Sequence, residues 1–281
     1  MAADRPTQTE REHSVEALTS GAMAAVWEWT QSRIPSGVEV FDAHAHIGED
    51  LDGRKMTAEG MRARQEAAGI QRSIVFPLND PNASEDFSGP NDTLWEAYEA
   101  HPEHFVPFFR LNPYHPSQKE FERCVGRGFM GLKLHPVSQK FPLDDPKAVE
   151  LFELAAQADI PVLVHAGFGM ERIVEPLLPT LDAIPNLRLL LGHCGMVDIL
   201  QAARSFADYP NLLFETSVVK AKDLYVLFRT VPAERICFGS DIPYGDLPST
   251  MHAAIHSAVV AGLGEDELRA VLSDNIRRWF S

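Results

Sequence analysis

The stretch EVFDAHAHIGED, residues 39–50, ends an apolar run with two histidines one residue apart. Read as a strand, it sends alternate side chains to opposite faces, so Asp42, His44 and His46 are expected on one face and Phe41, Ala43 and Ala45 on the other. Two imidazoles would then sit together at one strand end.

Similar short apolar runs recur along the chain. After VEVFDAHAH (38–46) come SIVFPL (73–78), FVPFFRL (105–111), GLKLH (131–135), PVLVHA (161–166), LRLLLGH (187–193), LLFETS (212–217) and RICFGSD (235–241). Helical patterns separate them, among them TAEGMRARQEAAG after a Thr57 cap and DDPKAVELFELAAQAD, with Asp145 as cap and Pro146 in the first turn. The crossover after residue 165 carries Pro176, Pro179 and Pro185 and is expected to be a broken helix. Eight strands with helical crossovers predict an α/β fold, a (β/α)8 TIM barrel. Residues 1–37 form a preceding unit, a polar tail over 1–12 and an extra N-terminal helix with Val15, Leu18, Met23, Val26, Trp27 and Ile34 as its stripe; residues 38–281 form the barrel. The stripe offers a homodimer interface.

Composition narrows the partners. With 25 basic against 40 acidic residues the formal net charge is −15, which repels both nucleic acid and an anionic membrane. The charged first residues lack the apolar core of a signal peptide, and no apolar run is long enough to span a bilayer. A soluble, cytoplasmic protein with a small molecule as partner is expected, with Cys124, Cys194 and Cys237 as reduced core thiols.

In such a barrel the chemistry lies where the strands end in their following loops. The polar residues interrupting the apolar runs fall there: His44 and His46 on the first strand, Lys133 and His135 on the fourth, His165 on the fifth, His193 on the sixth and Asp241 on the eighth. Imidazole and carboxylate together suit zinc and similar divalent ions, and three or four ligands with an open position suit catalysis.

DAHAHIG, GLKLHP, VHAG, LGHCG and GSDIP, in this order, resemble the amidohydrolase superfamily, in particular the amidohydrolase-related branch that includes aminocarboxymuconate semialdehyde decarboxylase. The resemblance covers residues 38–280. It implies a divalent metal, Zn2+ by expectation, held by His44, His46, His165 and Asp241, with Asp241 and His193 as the catalytic pair that moves protons. It leaves Lys133 open: in two-metal members a lysine here is carbamylated and bridges a second ion, whereas an ammonium would bind an anionic substrate. The main functional expectation is a metal-dependent hydrolase that uses a metal-activated water on an amide, lactone or other ester. The alternative is a metal-dependent non-oxidative decarboxylase of an unsaturated or aromatic carboxylic acid; His44 stands where some aromatic-acid decarboxylases of the branch carry Glu.

Around this centre, Arg110 is a candidate clamp for a substrate carboxylate or a structural ion pair, and Tyr114, Tyr244 and Phe168 are candidate pocket walls. Asp42 is expected to orient one of the histidine rings. His252 and His256, four apart on an outer helix, are read as exposed or packed residues rather than a metal site.

Overall fold

The structure, a computed structural model, describes residues 8–80, 86–115 and 117–280, the side chains of residues 8–18 and 117 excepted. Of the polar tail over 1–12, residues 1–7 lie outside the described part, as do the side chains of Val15 and Leu18, whereas residues 8–12 are already helical.

Among the described residues eight strands follow one another in sequence and in space: β1 (Val40–Glu49), β2 (Ile70–Pro77), β3 (Phe105–Arg110), β4 (Gly131–Leu134), β5 (Val162–Val164), β6 (Leu189–Leu191), β7 (Leu212–Glu215) and β8 (Ile236–Cys237). Each pairs in parallel with the next, and a two-residue segment, Lys55–Met56, adds an antiparallel edge to the end of β1. Parallel order needs long crossovers, and helices supply them. The ends of the curled sheet meet: Ala43 N–H donates to Phe238 O at 2.9 Å, Asp241 N–H to His44 O at 2.7 Å and His46 N–H to Ile242 O at 2.8 Å.

The strands are apolar on both faces because both are buried. Outward residues such as Leu132, Leu134, Val162, Val164, Leu189 and Leu191 pack under the helices. Inward, Phe41, Ile74, Phe108, Leu163, Leu190, Leu213 and Cys237 fill the lower barrel, and Ile276, Trp279 and Phe280 cover its base. An apolar floor confines polar side chains to the upper layer, at the C-terminal strand ends.

The alternation expected for β1 fails at one point. Its register against β2 shifts between Asp42 and Ala45. Ala43 belongs to the inner cluster and Ala45 to the outer one, so the strand changes phase between them. A bulge of this kind re-aims a side chain. His44 and His46 point into the barrel, while Asp42 turns away from them toward the helix layer. There its carboxylate accepts Gln65 Nε2 at 3.0 Å, Ser240 N at 2.9 Å and Ser240 Oγ at 2.6 Å, besides His44 N at 3.1 Å. Asp42 therefore orients no histidine ring; it ties β1 to the chain after β8.

The first helix, α1 (Gln8–Ser32), departs from the expected stripe. Met23 and Val26 are exposed, whereas Trp27, Trp29 and Ile34 pack against the core. Trp29 meets the rings of His252 and His256, and Thr30 Oγ1 lies 2.8 Å from His252 Nδ1, so these two histidines serve packing. The proline-rich crossover is a continuous helix over Val174–Ala183 with Pro179 inside it. Pro176 falls in its first turn, where an N–H is unpartnered anyway, and Pro185 lies past its end. All three cysteines are buried and free. Among the described residues no helix is long and apolar enough to cross a membrane.

Burial raises the Asp42 carboxyl to about 6 from an ordinary 3.8, against the pull of its hydrogen bonds from Ser240 and His44. A raised folded-state pKa means the folded chain holds this proton more tightly than the unfolded one, so the linked stability is present below about pH 4 and lost as pH rises through about 6. Urea unfolding of the metal-free protein should show Asp42→Asn flattening this decline by roughly 3 kcal/mol. An unchanged slope in the variant would remove Asp42 as its source.

Candidate functional site

A cavity of about 430 Å³ opens at the C-terminal ends of the strands, lined by His44, His46, Asp50, Asn79, Lys133, His135, His165, Phe168, His193, Val218, Asp241 and Tyr244. Parallel strands end side by side here, which brings β1 and the chain after β8 into contact. Asp241 Oδ1 lies 2.9 Å from His46 Nε2 and 3.2 Å from His44 Nε2. Ligand atoms of His44, His193 and Asp241 all fall within 4.8 Å of one another. His165 is one step further, its Nδ1 3.1 Å from His193 Nε2.

Two of these side chains sit on left-handed backbone, His193 at φ 56° and Asp241 at φ 59°. Such conformations are uncommon outside glycine and concentrate at functional sites. Neighbouring glycines make room: a Cβ on Gly167 would stand 2.7 Å from His193 Cδ2, and one on Gly192 2.8 Å from Val164 O.

Burial sets the charges. It lowers His46 to about 3 and His165 to about 2, and it lowers His193 as well, so these imidazoles are held neutral. Burial works against the Asp241 carboxylate too, but the adjoining His44, His46 and His193 outweigh it and hold its pKa well below the usual range. For His44, burial and Lys133 oppose protonation while Glu215 and Asp241 favour it, and the balance is upward. The Lys133 amine, fully buried, is lowered to about 7, chiefly by desolvation.

The donor set fits a divalent ion. Neutral imidazole nitrogens and an ionised carboxylate oxygen converge, as zinc or manganese requires. The hydrogen bonds sharpen the argument. His165 Nε2 faces the Phe168 carbonyl at 3.0 Å and His193 Nδ1 faces the Ser217 carbonyl at 3.1 Å. Carbonyls only accept, so both of those nitrogens carry hydrogen, and His165 Nδ1 and His193 Nε2 turn bare lone pairs toward each other. Such a pair calls for a cation between or beside it. His46 Nδ1, buried without a partner, also leaves Nε2 as the only nitrogen of that ring engaged in the centre.

The other candidates separate. Lys133 Nζ is 3.4 Å from His44 Nε2 and 4.5 Å from the centre of the Phe76 ring, at the cavity floor. His135 stacks on His165 with ring centres 3.8 Å apart. Tyr244 lines the cavity and donates its hydroxyl to Asp50. Phe168 stands at the rim, 72 % exposed. Arg110 is behind the wall and does not line the cavity: fully buried, it donates to Pro77 O, Asn79 Oδ1 and Ser138 Oγ at 2.8–3.2 Å, and among the described residues no carboxylate pairs with it. Tyr114 is turned to Asp145, 2.8 Å away and outside the cavity.

Reading the sequence missed Glu215, Ser217 and Asp50. Glu215, wholly buried at the end of β7, accepts His44 Nδ1 at 2.6 Å. Its signal was present: LLFETS puts a carboxylate at a strand end just as the strands bearing the histidines do.

The amidohydrolase family model matches residues 41–281. No curated protein sequence matches significantly. Among solved structures, 2,6-dihydroxybenzoate decarboxylase from Rhizobium superposes with a TM-score of 0.66 at 19 % identity, covering 87 % of this chain and 98 % of its own. The 4-oxalomesaconate hydratase of Rhodopseudomonas palustris gives 0.65 at 16 % identity over 86 % and 95 % of the two chains. A dihydroxybenzoic acid decarboxylase from a Polaromonas species, with bound manganese and the inhibitor 2-nitroresorcinol, gives 0.61 at 18 % identity over 85 % and 97 %. These similarities concern the fold, and the family match concerns the chain itself: the protein belongs to the amidohydrolase family.

Proposed function

We propose that this protein is a divalent-metal-dependent enzyme that removes CO2, without oxidation, from an unsaturated or aromatic carboxylic acid. The observation that carries this reading is Lys133, the only lysine or arginine among the described cavity-lining residues, placed at the floor beside His44. An amine there pairs with one carboxylate, and the open cavity of about 430 Å³ has room for a ring acid. Two of the solved structures with this fold are named as decarboxylases of ring acids.

His44, His46, His165 and Asp241 would hold the ion, zinc or manganese by their chemistry. Once bound, it supplies Lewis-acid polarisation of a substrate oxygen. Lys133 holds the carboxylate and Phe168, Val218 and Tyr244 flank the ring. The bond from ring carbon to carboxylate carbon breaks, its electron pair stays on the ring carbon, and CO2 leaves. That carbon takes a proton delivered through His193 Nε2, which is bare in the neutral ring because Ser217 holds the hydrogen on Nδ1, and which must first accept that proton from solvent. Asp241, held ionised, keeps His44 and His46 in place.

Hydrolysis of an amide, lactone or other ester is the second reading. It is favoured by Asp241 itself, a carboxylate held ionised at the cavity and able to take a proton from water.

A metal-loaded preparation offered hydroxybenzoates and muconate-type acids alongside lactones and amides separates the two: CO2 release is expected, hydrolysis without CO2 release would favour the second reading, and inertness to both panels would contradict both. Within the acid panel, Lys133→Met should lower kcat/KM by about 100-fold, mainly through KM, as loss of a charged contact does. Steady-state kinetics of His193→Gln should show kcat reduced by about 100-fold or more with KM little changed, as loss of an acid–base group does. A His193 variant with full kcat would remove it from proton transfer.

A further inference from the structure

Each buried imidazole at this centre can carry its single neutral-state hydrogen on either nitrogen, and only the bare one can bind an ion or take a proton. The choice is made at the end of β7. Glu215 sits there among four hydrogen-bond partners, two of them backbone N–H groups that can only donate, so its carboxylate oxygens accept. Its Oε1 accepts Ser217 N at 2.5 Å, and its Oε2 accepts Ser217 Oγ at 2.9 Å, His193 N at 3.2 Å and His44 Nδ1 at 2.6 Å. His44 Nδ1 must therefore be N–H, which leaves Nε2 facing Asp241 and Lys133. Two residues on, the Ser217 carbonyl is 3.1 Å from His193 Nδ1 and the hydroxyl oxygen is 2.9 Å from it. The hydroxyl hydrogen is committed to Glu215, so both oxygens accept, and His193 Nδ1 is N–H as well.

We propose that Glu215 and Ser217 are positioning residues: one three-residue segment locks the tautomers of His44 on β1 and of His193 after β6, so that both rings present Nε2 to the cavity. The fold is cut to admit this device. A Cβ on Gly239 would overlap the Glu215 carboxylate and come within 2.9 Å of His44 Cβ. Val218, next in the chain, holds a φ of 56°, a strained value for a β-branched residue, in the turn that leaves the Ser217 carbonyl aimed at His193. For metal binding the proposal rests on the reading above; the tautomers are a property of the metal-free chain and stand apart from it.

Glu215→Gln tests it with nearly the same shape. The shorter of its two backbone contacts, Ser217 N–H at 2.5 Å against His193 N–H at 3.2 Å, keeps the amide oxygen, so the NH2 turns to His44 Nδ1, which must then accept and send its hydrogen to Nε2. Nitrogen-15 spectra of histidine-labelled, metal-free protein, assigned with His44→Gln and His193→Gln variants, should place both Nδ1 atoms of the wild type in the protonated range from mildly acidic to mildly alkaline pH. In Glu215→Gln the His44 Nδ1 should move to the unprotonated range while that of His193, held by a backbone carbonyl, stays. Manganese affinity of the variant should fall by about 10- to 100-fold. An unprotonated His44 Nδ1 in the wild type, or an unmoved one in a folded variant, would overturn the proposal, and the wild-type spectrum alone decides if the variant does not fold. Failure of the wild type to take up manganese would count against the metal reading, not against the tautomer assignment.

Discussion

The contact on which this molecule depends is the closure of the sheet between its first and last strands. Residues 44 and 241 are far apart in the chain, yet Asp241 N–H donates to His44 O at 2.7 Å, and their side chains meet 3.2 Å apart. Without that seam His44 and His46 would face open solvent and Asp241 would lie on a loose turn. Backbone hydrogen bonds fix positions to a few tenths of an ångström, which a centre with metal-ligand spacing requires.

Two buried carboxylates divide the work around the seam, one on each side of β1. Asp42, on the outer side, stitches the backbone and side chain of Ser240 and the helix residue Gln65. Glu215, on the inner side, holds the ring of His44 and the turn that carries His193. Each is satisfied by several donors, the condition under which a charge tolerates burial. Between them the two groups fix a strand and a ring, and the remaining polar atoms of the centre converge on the cavity.

Much of this was legible in the sequence because the barrel imposes strong patterns. Continuous apolar runs separated by helical segments mark the eight strands, and polar residues at their ends mark His44, His46, Lys133, His165, His193 and Asp241 as neighbours. What escaped was set by local geometry. The bulge in β1 moved Asp42 off the histidine face, and strict alternation has no means of registering an extra residue. Arg110 and Tyr114 occupy strand-end and loop positions that suited a pocket, but the first turns into a nest of neutral acceptors and the second outward to Asp145. Glu215 carried the same strand-end signal as the histidines, but one carboxylate without a spaced partner does not say which ring it meets; its distance to His44 does.

The chemistry proposed for this cavity depends on the ion. Metal content per chain, measured on protein purified without chelator and again after bicarbonate, tests it most directly, with Asp241→Ala as control. We expect about one divalent ion per chain, unaffected by bicarbonate and lost in the control, with Lys133 an unmodified amine. About two ions after bicarbonate would replace that amine with a carbamate bridge, and absence of any bound metal under both conditions would contradict the central claim that these histidines and Asp241 form a metal centre.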